Sequence, residues 1–240
     1  MESGLAAGWK ASLQLCRVSN LPTVWTNVLA GSLLAGVPFR GAPFALLAGA
    51  LSFFYMGGMA LNDLCDADCD RLSRPTRPIP SGRVSRRGAL ALATALFAAG
   101  FGALYWAPHR GGAAAAVLLL AVIVIYDRHH KPHPMSVLLI AACRFLVYVV
   151  AALAASGQLA RLVLVAGGFQ FVYIVALSLV ARSENGRRDP FAFPVMPLLL
   201  AGISVVDGLL LAVLLEPLWG LAGAGGFLLT LLGQRYLRGD

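Results

Sequence analysis

The residues best able to do chemistry lie in one nine-residue stretch, Asn62-Asp63-Leu64-Cys65-Asp66-Ala67-Asp68-Cys69-Asp70. It holds four of the eleven acidic residues of the chain and follows directly on an apolar run. If that run is a helix and continues at about 100° per residue, Asn62, Asp63, Asp66 and Asp70 share one arc while Asp68 points elsewhere. Three carboxylates on one face repel each other unless a cation sits among them. Mg2+ takes oxygen ligands, usually a carboxylate or two together with substrate phosphate oxygens, so Asp63, Asp66 and Asp70 are candidate metal ligands. Arg71, Arg74, Arg77 and Arg83 come immediately afterwards, threaded through Pro75, Pro78 and Pro80. Guanidinium groups bind phosphate in bidentate fashion. The pattern reads as a Mg2+–diphosphate site at a membrane surface. The plainer alternative is a solvated loop whose charges pair among themselves.

The elements that must hold this site are membrane helices. The chain is 59% hydrophobic and 12% charged over 240 residues, which excludes an ordinary soluble core. The expected fold class is all-α, a polytopic membrane bundle of about eight helices forming a single domain over residues 1–240. The apolar runs place them at about 19–37, 43–62, 88–107, 111–126, 134–156, 160–181, 193–215 and 218–236, each near the roughly 20 residues that cross a bilayer. Residues 1–18, with Trp9, Lys10 and Arg17, read as an interfacial lead-in rather than a cleaved signal. Small residues, such as Ala113 to Ala116 and Gly220 to Gly226, suit close packing of helices in lipid. The four cysteines, Cys16, Cys65, Cys69 and Cys143, form no C-x-x-C pair and suggest neither a disulfide framework nor zinc. Cys65 and Cys69 are expected to pack in the core.

Charge orients the bundle. With eight crossings, fifteen of the nineteen Lys and Arg residues fall on one side; the other side has Arg40, Arg110 and Arg161, and Arg144 lies within a helix. By the positive-inside rule both termini and the acidic stretch are cytoplasmic, in what is expected to be a bacterial inner membrane. The net charge of +8 is explained by these loops, so no nucleic-acid partner is implied. Two further connections on that side carry polar clusters: Tyr126-Asp127-Arg128-His129-His130-Lys131-Pro132-His133, and Ala181-Arg182-Ser183-Glu184-Asn185-Gly186-Arg187-Arg188-Asp189. The histidines read either as metal ligands or, more simply, as part of a basic loop facing phosphate or lipid headgroups. Arg144 and Asp207 fall deep in the bilayer, where a lone charge costs at least a few kcal/mol. They form either an ion pair between the fifth and seventh predicted helices or, for Arg144 with Tyr148, part of the wall of a substrate cavity.

The pattern N-D-x-x-D-x-x-x-D followed by R-P-I-P-S-G resembles the signature of the UbiA superfamily of intramembrane prenyltransferases. The resemblance extends as helix order and motifs over essentially the whole chain. It implies a UbiA-like bundle in which Mg2+ and an isoprenyl diphosphate are held at the acidic motifs, with the prenyl tail in a tunnel open to lipid. On this resemblance Asp63, Asp66 and Asp70 are the metal ligands, Asn62 positions the diphosphate and Arg77 lies beside it. Tyr126 and Lys131 resemble the family's Y-x-x-x-K pair, with Lys131 one residue late and His130 in the expected place. The family's second motif is of D-x-x-x-D type, whereas this chain reads S-L-V-A-R-S-E-N-G, leaving Glu184, Asp189 and the positive Arg182. With C-R-F-L-V-Y in the fifth predicted helix, this resembles the EboC-type branch, linked to the handling or export of small metabolites.

The leading expectation is a Mg2+-dependent enzyme that transfers an isoprenyl group from a prenyl diphosphate to a small acceptor. Asp63, Asp66, Asp70 and Arg182 would act on the leaving diphosphate; Asn62, Arg77, Tyr126, Lys131, Arg144 and Glu184 would bind substrate. The rival class is a non-catalytic or weakly catalytic membrane protein that binds, or helps export, a prenylated or other small metabolite. A secondary transporter has less behind it, since no inverted repeat is evident and the strongest site lies at the interface.

Overall fold

The computed structural model describes residues 2–129, 135–185 and 193–237. Lys131 and Asp189 lie outside the described residues. The chain opens with α1 (Glu2–Leu15) and a 3-10 turn (Val18–Asn20), then runs through α2 (Leu21–Leu34), α3 (Gly41–Ser73), α4 (Arg86–Tyr105) and α5 (Gly111–His129). It continues through α6 (Ser136–Ser156), α7 (Arg161–Asn185), α8 (Val195–Leu214) and α9 (Gly220–Tyr236). The eight expected helices correspond to α2–α9, and the lead-in is itself helical. Six of them, α3 to α8, are long and apolar enough to cross a membrane. α2 and α9 are shorter, at 14 and 17 residues.

Successive helices pack as hairpins, α3 on α4, α5 on α6, α6 on α7 and α8 on α9, while α2 threads between α6, α8, α3 and α9. α2 and α6 therefore form the axis of the bundle, and most of α2 is buried. One apolar core joins Val24 and Val28 of α2 to Leu51 and Phe54 of α3, Leu119 and Ile123 of α5, and Val147 and Val150 of α6. A second, around Leu29, Tyr148, Val163 and Leu211, closes α2 and α6 against α7 and α8. Small residues set the closest approaches. A Cβ on Gly223 would stand 2.6 Å from the Gly208 Cα, and one on Gly31 would stand 2.8 Å from the Tyr148 carbonyl oxygen.

The sequence places the end of the acidic helix near Asn62, but α3 runs on to Ser73. The motif is thus a helical extension and not a loop. Ser73 Oγ donates back to the Cys69 carbonyl at 3.1 Å and the Arg74 amide to that of Asp70 at 2.8 Å. Pro75 ends the helix, since the residue before a proline is driven out of helical geometry. The extension outruns the bundle on one flank, and Cys65 and Cys69 are exposed there instead of packing in the core. On the opposite flank Ala60 and Ala67 of α3 are covered by Leu15 of α1, Ile79 and Ala89.

Candidate active site

The one-arc spacing is realised in α3. Asp63 and Asp70 are buried at 5% and 6% exposure, Asp66 is half-buried, and the Asp68 side chain is 72% exposed, paired outward with Arg86 and Arg71. Two guanidiniums reach the buried face, one from before the motif in sequence and one from after it. Arg77 Nη1 lies 2.6 Å from Asp70 Oδ2 and 3.6 Å from Asp63 Oδ1. Arg17 Nη2 donates to the same Asp63 oxygen at 3.1 Å. The loop that brings Arg77 is folded on itself: Ser81 Oγ donates to the Arg77 carbonyl at 2.7 Å, and Arg83 reaches the Thr76 carbonyl at 2.6 Å and Gln14 of α1 at 2.9 Å.

Arg17 is the residue that sequence reasoning missed as part of the site. Its backbone is left-handed, φ 47° and ψ 47°, which a residue bearing a Cβ adopts only at a cost of order 1 kcal/mol or more. That turn separates α1 from α2 and directs the side chain onto α3. Burial acts to lower the Arg17 pKa, but the negative charge of Asp63 and its hydrogen bond outweigh it, and the net shift is upward. Arg74 is shifted down, by burial first and then by the like charge of Arg77, with Arg17 adding to it. Three guanidiniums crowding one another around carboxylates make a surface prepared for a polyanion. The signal in the sequence was slight: a lone arginine between an interfacial segment and the first long apolar run.

Beside this cluster lies the mouth of a cavity of about 170 Å3. Arg17, Asn20, Tyr126 and Asp127 line its polar end; Leu51, Phe54, Leu119, Ile123 and Val147 form an apolar floor; Ile140, Ile174, Leu177, Leu200 and Ile203 line the wall toward α7 and α8. Asn62 donates from Nδ2 to Asp127 Oδ1 at 3.1 Å, so the first residue of the motif ties α3 to the end of α5. Asp127 is 4% exposed and was also missed as part of the site.

Tyr126 and Arg144 line the cavity. Arg182, at the end of α7, donates to Ser136 Oγ at 2.5 Å and so is anchored to the start of α6, and Glu184 is half-buried in the same final turn of α7. Neither lines the cavity. Of the two readings of Arg144, the ion pair with Asp207 is replaced by a relay, and Arg144 lines the cavity without Tyr148. Arg144 Nη1 donates to Asn27 Oδ1 at 2.8 Å, and Asn27 Nδ2 donates to Asp207 Oδ2 at 2.7 Å. Asp207 is fully buried and also accepts from Thr26 Oγ1 at 2.5 Å and from the Tyr148 hydroxyl. Asp207 is thus held by Thr26 and Asn27 of α2 and by Tyr148 of α6, and Arg144 reaches it only through Asn27.

The donor set is of the kind a hard divalent cation takes. Asp63, Asp66 and Asp70 present hard oxygen donors on one helical face, the ligand class Mg2+ takes together with phosphate oxygens. Among the described residues no three such side chains converge as they stand, because Arg17 and Arg77 hold two of the three carboxylates. The donors fit the ion in kind, with those arginines released to an anionic ligand.

Residues 22–237 match the model of the UbiA prenyltransferase family. The chain belongs to that family. Among curated UbiA relatives, the digeranylgeranylglyceryl phosphate synthase of Methanopyrus kandleri is 43% identical over 94 residues, 39% of this chain and 34% of the relative. The matched stretch thus spans about a third of that relative's length. Solved structures share the fold over nearly the whole chain. A structure described for digeranylgeranylglyceryl phosphate synthase in membranes superposes with a TM-score of 0.65 at 18% identity, covering 96% of this chain and 93% of the other. A UbiA homologue from Archaeoglobus fulgidus bound to GPP and Mg2+ gives 0.62 at 15% identity, covering 92% and 86%. The chain is a multi-pass integral membrane protein of UbiA fold.

Proposed function

We propose that this chain is a Mg2+-dependent intramembrane prenyltransferase that moves an isoprenyl group from a prenyl diphosphate to a small acceptor. The observation that carries the reading is the junction of two unlike surfaces. Carboxylates and guanidiniums interleaved on the end of α3 adjoin a cavity whose floor is purely aliphatic and aromatic. A molecule with a diphosphate at one end and a hydrocarbon tail at the other matches both. The A. fulgidus homologue, bound to GPP and Mg2+, holds a ligand of that kind.

Asp63, Asp66 and Asp70 would hold Mg2+, which when bound would supply positive charge to the diphosphate, the group that keeps the electron pair of the broken C–O bond. Arg17, Arg74 and Arg77 would supply fixed positive charge to the same oxygens, and a charge that matches the leaving group better than the bound ester favours the transition state. Asn62, held by Asp127, would position the diphosphate. Tyr126 and Lys131 would complete its binding, and Arg144 would line the cavity where the acceptor enters. The apolar walls would keep water from the allylic carbon, so that the acceptor is the nucleophile that forms the new bond.

A second reading has one specific observation in its favour. Arg182 stands where a second acidic motif is expected, and its side chain is anchored to Ser136. A protein that binds or helps export a prenylated or other small metabolite, as suggested by the EboC-type branch, would retain the pocket without turnover. Pyrophosphate release decides between them. Purified protein incubated with Mg2+, labelled prenyl diphosphates and a panel of acceptors is expected to release pyrophosphate in step with a prenylated product found by mass spectrometry. Saturable prenyl diphosphate binding without release for any acceptor would establish the binder.

A further inference from the structure

A second cavity, of about 320 Å3, lies at the end of the bundle far from the acidic site and has no part in the reading above. Pro43, in its wall, stands twenty residues before Asp63 on α3, about 30 Å along the helix, which is the thickness of a hydrocarbon core. Leu29 and Leu33 of α2 and Phe44 and Leu47 of α3 make the walls apolar. Leu51, one turn further along α3, lines the active-site cavity instead. Three polar features border the second cavity, and all three are idle. Arg40 lines it and is exposed, and no acceptor among the described residues holds its guanidinium. Glu216, in the α8–α9 connection on this side, makes no ion pair with it, whereas Arg110 is engaged by the Tyr105 carbonyl and ring. α3 begins beside Arg40 with no side-chain cap, so the first amides of a 33-residue helix lack partners at the positive end of its dipole. Ser32 Oγ is buried with no hydrogen-bond partner among the described residues, although Ser12, Thr94, Ser156 and Thr230 all bond the carbonyl one turn back in their own helices.

We propose that this cavity holds a glycerophospholipid of the leaflet opposite the acidic site, with its phosphate on Arg40 and the start of α3 and one acyl chain between Leu29, Leu33 and Leu47. The site is independent of the prenyl-transfer reading. A guanidinium takes phosphate in two parallel hydrogen bonds, and the first amides of a helix add to the same attraction. Deeper in the cavity, the Ser32 hydroxyl would donate to an ester carbonyl. The aromatic rings set the level of the headgroup. The Phe39 ring centroid lies 5.4 Å from that of Phe44 and 6.2 Å from that of Trp219, and Tyr105 and Trp106 are exposed on the same face, as in the belts of a membrane–water interface. A free phosphate would leave the apolar walls uncovered, and a hydrocarbon alone would leave Arg40, the helix start and Ser32 without partners. An anion, an ester and a chain, in that order of depth, satisfy all of them, and the bordering leaflet supplies such a molecule. A prenyl diphosphate is a poorer match, because its anion has Arg17, Arg74 and Arg77 at the far end of α3. The cavity joins α2 and α3 to the α4–α5 connection at Pro108 and to the end of α6 at Ala155, so a bound lipid would brace the end of the bundle opposite the chemistry.

Native mass spectrometry of the delipidated protein in detergent tests this, with palmitoyl-oleoyl phosphatidylglycerol as the probe. The controls are palmitoyl-oleoyl glycerol, which has the same chains without the phosphate, and inorganic phosphate. One phosphatidylglycerol is expected to bind saturably ahead of any others and to raise the melting temperature. The phosphate-free lipid should bind about tenfold or more weakly, and inorganic phosphate should not displace the probe. Arg40→Gln is expected to weaken phosphatidylglycerol about fivefold or more while leaving the phosphate-free lipid unchanged, and Ser32→Ala to weaken both by about twofold to fivefold. Geranyl diphosphate should neither displace the lipid nor lose affinity for Arg40→Gln by more than about twofold. Equal binding of the two lipids, or phosphatidylglycerol affinity unchanged in both variants, would overturn the proposal. Displacement by inorganic phosphate would make this a free-anion site, and displacement by geranyl diphosphate would put the lipid in the active site; either result also overturns it.

Discussion

Two residues in the same helix show how finely the site separates its charges. Asp63 faces Arg17 and Arg77, and Asp68, five residues on, faces water. Asp63→Asn and Asp70→Asn are therefore expected to lower Mg2+-dependent affinity for a prenyl diphosphate by about tenfold or more, and Asp68→Asn to change it by less than about twofold. Isothermal titration on the three variants gives the answer, and equal losses would mean that bulk charge rather than a coordinating face is at work. Cys16 gives a second test beside the same carboxylate. Burial, and then the charge of Asp63, push its thiol up to about 11. A thiol that loses its proton only near that pH presents roughly one thiolate in a thousand at pH 8, and the fraction rises tenfold with each unit of pH up to the pKa. Maleimide at pH 7–8 should label the exposed Cys65 and Cys69 and leave Cys16 untouched, which mass spectrometry of the digested protein reads directly.

At the scale of elements, the hydrophobic pattern located α2 to α9 within a few residues, because apolar runs separated by Gly, Pro and Arg have few other ways to fold in lipid. It misjudged the end of α3. Hydropathy falls at Asn62, but backbone hydrogen bonds do not, and carboxylates neutralised by arginines can continue a helix beyond the apolar stretch. The spacing on α3 was legible because it is local to one helix. Its pairing with Arg17 was not, since nothing in a linear pattern reports a contact 46 residues apart. The same limit hid the Asn27 relay, which joins residues of α2, α6 and α8. Packing makes its own forecast. Gly208 and Gly223 bring α8 and α9 together backbone to backbone, and a Cβ at Gly223 would also stand 2.6 Å from the Ser204 carbonyl oxygen. Gly223→Val is expected to destabilise the protein by about 1–3 kcal/mol, seen as a lowered melting temperature in detergent, whereas Gly225→Ala, where the added carbon meets nothing within 4 Å, should leave it nearly unchanged.

For the molecule as a whole, charge rather than packing gives direction. The connections after α3, α5 and α7 and both chain ends carry nearly all of the cations, and Arg40, Arg110 and Arg161 mark the other face. The positive-inside rule predicts that the acidic end of α3 opens to the cytoplasm. A Ser73→Cys variant, in a background with Cys65 and Cys69 replaced by Ser, should be labelled by a membrane-impermeant maleimide in inverted vesicles and spared in intact cells. Labelling from the outside alone would reverse the orientation.

The pairing of Asp63 with Arg17 and of Asp63 and Asp70 with Arg77 would also couple the cation and the diphosphate proposed for this site. A lone cation entering the site has to evict guanidiniums that then have no partner, and a lone diphosphate has to draw those guanidiniums off carboxylates that are then left bare. When the two arrive together, each takes what the other releases, and no charge is stranded. Uptake is thus an exchange of partners, and the two ligands should help each other bind. The expected coupling is about 5-fold to 150-fold in affinity, equal in both directions, as linkage requires. Removing Arg17 should abolish part of that mutual dependence by making the cation's entry easier on its own. Titrating Mn2+ by electron paramagnetic resonance, with and without geranyl diphosphate, on the parent and on Arg17→Ala would measure it. Independent binding in the parent would show that the arginines do not guard the carboxylates.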